Sequence, residues 1–424
     1  MKFFTTLSLV FTCWILNAQC PSGDVVLLSQ AEVDTFVVTY PNCTEINGDL
    51  QIGLQFDPSD IADISGLSTI TSVENLIIAD NPLLTDLGGL SAISSVNDLR
   101  ISSNAILANL NGLSGLSFIH GNLLIEFNAA LTDLDGLSEI TSLGGELRLR
   151  ANTSLTDISA LSGITSVGTN LRISGPNAFT HLGGLENISS VGGNLELWST
   201  FLTDISALSG ITSIGGYLDI YNNASLTSLM GLDNLASIGG YLLVSDNATL
   251  TSIASLDNLT SIDGVLQIFS NTALMSLTGL DNLDATTITG TTFLEGLYIG
   301  FNPQLSACAI ESICDYLGVA LNEGTITDNA IGCATREEVE TACVVSITDI
   351  SQTDIKLFPN PTSGRLQLRN ITAEHVDVFT SQGQRIARYE SPGQELDLSA
   401  LPPGVYHLHL IAPDSAHVAR VVKR

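Results

Sequence analysis

A short alternating motif, Leu-x-[Ile/Leu], recurs along most of the chain. Its marker leucines are Leu50, Leu76, Leu99, Leu123, Leu147, Leu171, Leu195, Leu218, Leu242, Leu266 and Leu297. Successive markers lie 26, 23, 24, 24, 24, 24, 23, 24, 24 and 31 residues apart. Apolar residues at period two predict a short strand whose Leu and second apolar residue point inward. An Asn follows five residues after many markers: Asn81, Asn104, Asn128, Asn152, Asn223, Asn247, Asn271 and Asn302. An apolar residue comes three later (Leu84, Leu107, Leu131, Leu155, Leu226), then Gly-Leu, then segments such as Thr212-Ser213-Ile214-Gly215-Gly216. A unit near 24 residues is the signature of a solenoid.

One such coil cannot bury its apolar face alone. Stacked at roughly 4.8 Å, eleven coils form a parallel sheet and a continuous core in a rod roughly 50 Å long. The recurrent Asn fits a ladder of side-chain amides that satisfies turn backbone in neighbouring coils. The glycine pairs are expected to serve tight bends at positive φ. Frequent Thr and Ser suit β-rich coils better than helices. The repeat solenoid is expected over residues 49–305, and the 31-residue step before Leu297 predicts a protruding loop from about Asp284 to Phe293.

With the marker and the residue two later inward, positions one before, one after and three after face outward. Four of the five Arg in residues 20–343 occupy such positions: Arg100, Arg148, Arg150 and Arg172. Glu126 and Glu196 share that face. The three-after column continues Ser174, Trp198, Tyr221, Ser245 and Phe269, with Tyr217 and Tyr241 one before a marker and Tyr298 one after. Arginine and aromatics are enriched at binding hot spots, and aromatics also stack on sugar rings. This basic patch beside an aromatic one is the candidate ligand face. The bland alternative is that strands favour aromatics and that Arg merely offsets nearby acid.

The ends of a solenoid need lids. Cys20 and Cys43 bracket an apolar segment, Val25 to Tyr40, and a disulfide-closed N-terminal cap is expected over residues 19–48. Residues 306–343 read as a Cys-rich C-terminal cap. Ile310, Ile313 and Leu317 have helical spacing, and Thr335-Arg336-Glu337-Glu338 is a capping box for a second short helix. Cys308, Cys314, Cys333 and Cys343 allow three pairings, of which Cys308–Cys333 with Cys314–Cys343 is favoured. Ahead of the first cap, Lys2 and an apolar run from Phe3 to Leu16 closing on Asn17-Ala18-Gln19 read as a signal peptide, residues 1–18. Gln19 stands where a lipidated Cys20 would need a small residue, which argues against a lipoprotein.

Charge divides the 424 residues again. Residues 20–343 hold 36 Asp and Glu against five Arg and no Lys, so nucleic acid is disfavoured as a partner. Residues 356–424 hold eight basic and six acidic residues, and the 24-residue period stops before them. Residues 344–355 read as a polar linker. Beyond it, turn signals at Pro359-Asn360-Pro361-Thr362-Ser363-Gly364, Gln382-Gly383 and Pro402-Pro403-Gly404 separate about seven strands, as in a small Ig-like β-sandwich. After the signal segment no apolar run is long enough to span a membrane.

Two resemblances follow. Asn42-Cys43-Thr44-Glu45-Ile46-Asn47-Gly48-Asp49-Leu50-Gln51-Ile52 resembles the start of a receptor L domain, a leucine-rich-repeat-like solenoid. The likeness spans about residues 20–305 and implies a right-handed, mainly β parallel solenoid that presents surfaces to ligands. There are more coils here than in one L domain, so hormone binding is not carried over. Residues 356–424 resemble the type A C-terminal sorting domain of the type IX secretion system of Gram-negative bacteria. That likeness is carried by Leu357-Phe358-Pro359-Asn360-Pro361-Thr362-Ser363-Gly364, Val376-Asp377-Val378-Phe379, Gly383-Gln384, Leu396-Asp397-Leu398-Ser399, Gly404-Val405-Tyr406 and Arg420-Val421-Val422-Lys423-Arg424. It implies engagement of that machinery, export across the outer membrane, removal of the domain, and a product released or held at the cell surface.

Catalytic chemistry finds little support. His120 and His181 belong to no acid or Ser motif, and no G-x-S-x-G, H-E-x-x-H, P-loop or Rossmann glycine pattern occurs. Asp86, Asp133, Asp157 and Asp204 recur at one phase of the coil and read as a solvated edge rather than paired catalytic acids. No cofactor is implied. Calcium is the one ion that the carboxylate excess suggests, though neither the nonapeptide calcium repeat nor an EF-hand loop is present. His407 and His409 read as outward positions on a strand rather than metal ligands. The expectation is a secreted or cell-surface, adhesin-like binding protein for protein or glycan. The alternatives are a passive structural component of surface or matrix and, behind it, a β-helix polysaccharide-degrading enzyme.

Overall fold

The structure, a computed structural model, describes residues 20–290, 295–348, 356–358, 360, 362–369, 373–380, 385–412 and 415–424. The signal segment, most of the linker, and Pro359, Pro361, Gly383 and Gln384 of the sorting motif lie outside them. Two compact units are present, Met1–Arg336 and Glu337–Arg424.

In the first unit a 13-stranded parallel sheet takes its strands in chain order. Eleven of the strands begin at the marker leucines, and they stack in register, as in Leu147 against Leu171, Leu171 against Leu195 and Leu195 against Leu218. Leu147, Leu149, Leu171 and Ile173 are fully buried, as the alternation requires. Each such side chain contributes about 2 kcal/mol by leaving water. Two further strands, Val25–Leu27 and Gly324–Thr327, extend the sheet at its ends.

The strands end on an unusual backbone step. Four residues after the marker, Asp80, Ser103, Phe127, Ala151, Ser199, Asn222, Asp246, Ser270 and Phe301 all have φ between 52° and 59°. This left-handed conformation costs an L residue about 1 kcal/mol. It turns the next residue, the ladder Asn, into the core. Asn104 is typical: its N–H donates to Asn128 Oδ1 at 3.1 Å, and its Nδ2 donates to the Ile78 carbonyl at 3.0 Å. The ladder also enlists Asn177, Thr200 and Asn329, which depart from the residue type, the spacing or the marker motif. Asn152, Asn223 and Asn247 are wholly buried, so their N-x-[Ser/Thr] sequences serve this ladder.

The glycine pairs have a different reason from the one expected. None of Gly144, Gly168, Gly192, Gly215 or Gly239 has positive φ. Instead each packs against the coil before it: a Cβ on Gly192 would stand 2.1 Å from the Gly168 carbonyl oxygen. Close approach of backbones, not bending, selects glycine. The neighbouring Ser-Ile and Ser-Val pairs form a second, five-stranded parallel sheet, from Ser166–Val167 to Ser261–Ile262.

The recurrent aspartates are also more than a solvated edge. Asp86, Asp157 and Asp204 each accept the N–H two residues on, at 2.7–2.9 Å, and so close a tight turn. The Ser159 N–H accordingly holds Asp157 below the usual carboxylate range. The expected protrusion from Asp284 is corrected in its first part. Ala285–Thr287 is a 3-10 turn and Ile288 is buried, bridging to Gly264 in the preceding coil. Residues 291–294 lie outside the described residues.

At the N-terminal end, a helix the apolar pattern did not specify, α1 (Gln30–Thr39), begins on Ser29 and buries Val33 and Phe36. Cys20 is disulfide-bonded to Cys43, which commits its sulfur, and Cys308 is bonded to Cys333. Cys314 and Cys343 are both disulfide-bonded. Helix α2 (Glu311–Leu317) lies in the C-terminal cap. Helix α3 (Arg336–Thr348) runs past Cys343, so its last turn occupies part of the stretch read as linker.

The second unit contains a three-stranded and a four-stranded antiparallel sheet sharing one core, a small sandwich. Leu366, Leu368 and Leu396 come from the smaller sheet; Val376, Val378, Leu408, Leu410 and Val421 come from the larger. Arg388 binds the Asp377 carboxylate through two hydrogen bonds of 2.7 and 2.6 Å. The His409 ring packs on Phe379, 4.3 Å between centroids.

Candidate functional site

The outward side of the 13-stranded sheet carries an unbroken chain of side-chain contacts. Arg100 lies 3.7 Å from Glu126, which lies 3.6 Å from Arg148. Arg148 holds Glu146 at 2.8 Å, and Glu146 lies 3.9 Å from Arg172. Arg172 pairs with Glu196, and Glu196 accepts a 2.6 Å hydrogen bond from the Tyr217 hydroxyl. Tyr217 stacks on Tyr241 with centroids 4.2 Å apart. The chain crosses seven coils, roughly 30 Å at the strand spacing.

The strand register explains this ribbon. Residues one before and one after each marker point to the same face, and neighbouring coils bring them within side-chain reach. The glutamates are nearly closed off, with Glu126 3% and Glu196 0% exposed, while the long arginines lie over them. A charge that deep needs a partner, and each of these has one. The Glu196 carboxylate raises the Arg172 pKa, and burial followed by Glu196 raises that of Tyr217.

Asp219 stands opposite Glu196 on the next strand and is 6% exposed. Burial is the main cause that lifts its carboxyl to about 6; the Glu196 charge adds to the shift and the Trp198 indole opposes it. Even so, neither Asp219 Oδ1 nor Trp198 Nε1 has a partner in hydrogen-bonding geometry. Burial pushes the nearby Tyr241 hydroxyl up as well.

Beside the ribbon, the three-after column sets one small residue among three large ones. Arg150 is exposed, Ser174 is buried, Trp198 is half-buried and Tyr221 is 42% exposed. These four are successive neighbours in the sheet register. The small Ser174 leaves a hollow of about 310 Å³ between larger neighbours, lined by Arg148, Arg150, Arg172, Trp198, Ser199 and Tyr221. The Arg172 guanidinium lies 5.4 Å from the centre of the Trp198 ring, and that of Arg150 lies 5.0 Å from Phe127. Arg150 makes no ion pair among the described residues. Every other arginine of the face does.

The face therefore brings Arg100, Arg148, Arg150, Arg172, Trp198, Tyr217, Tyr221 and Tyr241 onto adjoining coils. Phe269 and Tyr298 form a separate edge-on pair, 5.6 Å between centroids, three coils beyond Trp198. Reading the sequence singled out Glu126 and Glu196 but passed over Glu146 and Asp219. Their column positions were the available signal, since one before and one after a marker had already been read as outward. Among the described residues no group of three or more His, Cys, Asp or Glu is placed to hold a metal ion, and no helix is long and apolar enough to cross a membrane.

Comparison with known proteins bears on the second unit first. The family described as "Secretion system C-terminal sorting domain" matches residues 356–424. These residues are a type IX sorting domain. The protein that carries them is secreted or displayed at the cell surface. For the first unit, an internalin from Listeria monocytogenes is similar at 18% identity over 70% of this chain and 88% of its own, with a TM-score of 0.33. The leucine-rich-repeat-like solenoid stands on its own coils, independently of that likeness. No curated protein matches the chain.

Proposed function

We propose that this exported protein is an adhesin-like binding protein, and that its ligand, a protein or a glycan, docks on the outward face of the 13-stranded sheet around Trp198 and Tyr221. The observation that carries this reading is the hollow over Ser174, where three arginines and two aromatic side chains meet on an otherwise acidic, aromatic-poor solenoid. Arg and the large aromatics supply most binding energy at interfaces. The carboxylates of the face favour binding over hydrolysis. Glu126, Glu146 and Glu196 are committed to arginines and lie beneath them, whereas a glycosidase needs its acid pair open to the sugar. A passive spacer would need no such concentration of groups on one side.

Probing glycan and protein arrays with the full exported chain, followed by cross-linking of the captured ligand, tests the proposal. Saturable capture with cross-links around Arg150, Trp198 and Tyr221 is the expected result. Cross-links confined to the turns closed by Asp86, Asp157 and Asp204, or no saturable capture, would overturn it.

A further inference from the structure

The hollow over Ser174 has dimensions and chemistry that narrow the ligand further, given that the sheet face is the binding face. We propose that it seats one carboxylate-bearing sugar unit of an oligosaccharide, with the carboxylate on Arg150 and the sugar ring against Trp198 and Tyr221.

Size comes first. Arg150 and Trp198 lie on strands two apart, roughly 10 Å at the strand spacing. Ser174 and Gly175 lie between them and leave about 310 Å³ open, near the lower end for a small-molecule site. That room takes a single ring rather than a helix or a folded peptide turn. Charge is next. Arg148 and Arg172 are neutralised by Glu126, Glu146 and Glu196, so they act as fixed N–H donors rather than free cations. Arg150 makes no ion pair among the described residues, although Glu126 stands opposite it in the register; its guanidinium is held against Phe127 at the mouth of the hollow, and its planar fork matches a carboxylate. Residues 20–343 carry 36 acidic against five basic residues, so a polyanion is repelled at long range. An isolated carboxylate recognised at contact distance, with neutral units on either side, is compatible with that field.

The remaining groups suit a sugar. A pyranose has an apolar C–H face and a hydroxyl rim. Trp198 and Tyr221, directly opposite in the register, offer adjacent aromatic surfaces for the first. Ser199 and Asn222, bonded to each other at 2.9 Å beside the hollow, and Ser174 on its floor offer partners for the second. An acidic peptide would find the carboxylate partner but would leave the aromatic pair and most of this polar rim unused.

Apart from Trp14 in the signal segment, Trp198 is the only tryptophan, so tryptophan emission from the exported chain reads this hollow alone. The probes are a glucuronate-containing tetrasaccharide, sialyllactose, the carboxyl-reduced form of each, and a Glu-containing hexapeptide. At least one carboxylated sugar is expected to shift the emission saturably and to protect it from acrylamide. Arg150→Ala should weaken that probe at least tenfold with unchanged melting, Arg150→Lys should restore part of the loss, and Ser174→Leu should block binding by filling the floor. No response to either carboxylated sugar, equal binding of a carboxyl-reduced form, or an unchanged affinity in Arg150→Ala overturns the assignment. Saturable binding of the peptide or a reduced sugar, lost in Tyr221→Ala, would refute the acidic sugar yet leave the binding-face reading intact.

Discussion

Arg172 and Glu196 stand directly opposite one another on neighbouring strands, and the glutamate is closed off from solvent beneath the guanidinium. The pair is the hinge of the ribbon, joining the arginine-rich half to the tyrosine half. Arg172→Ala leaves a buried carboxylate whose remaining partner is the Tyr217 hydroxyl. Urea unfolding is expected to show a loss of about 3 kcal/mol. Replacing both residues by Leu should cost less than Arg172→Ala alone, because no unpaired charge is left behind. A cost below about 1 kcal/mol for Arg172→Ala would contradict the pairing.

Asp219 sets a pH dependence. Its folded pKa, about 6, lies above the ordinary value of 3.8, so the folded state holds its proton more tightly than the unfolded chain does. Stability from this group is present below about pH 4, falls as pH rises through the window to about 6, and is level above it. Asp219→Asn removes the titration. The variant is expected to exceed the parent by about 2–3 kcal/mol at pH 8, with the advantage fading at pH 4. Paired urea titrations at the two pH values measure it. An advantage that is the same at both, or absent at pH 8, would show that Asp219 is not desolvated.

Gly192 tests the close stacking of coils. A Cβ there meets the Gly168 carbonyl oxygen at 2.1 Å, and backbone cannot rotate away as a side chain can. Gly192→Ala is expected to cost about 3 kcal/mol or to prevent folding. If bending were the reason for glycine, Asn would substitute well at this position; it is expected to do no better than Ala.

Much of this architecture is legible in the chain because a period of two inside a period of 24 fixes both the strands and their register. Leu147, Leu171 and Leu195 are spaced so that only stacking in step buries them all. The outward columns follow from the same arithmetic, and they led to Arg148, Trp198 and Tyr221. What the pattern did not convey was contact. That Glu146 bridges Arg148 and Arg172, or that Asp219 lies under aromatic cover, depends on which rotamers neighbouring coils allow. The glycine pairs were misread because positive φ and close approach select the same residue. The left-handed step at Asp80, Ser103 and Phe127 carries no signal of residue type at all. It is fixed by the Asn that follows each of them.

The central claim, that ligands dock on the sheet face around the Ser174 hollow, is tested most directly by one affinity. The strongest array ligand is titrated into the full exported chain and into the double variant Trp198→Ala with Tyr221→Ala. These rings are only partly buried, so the melting temperature should hold within a few degrees while binding weakens at least tenfold. Undiminished affinity in a correctly folded double variant would contradict the account.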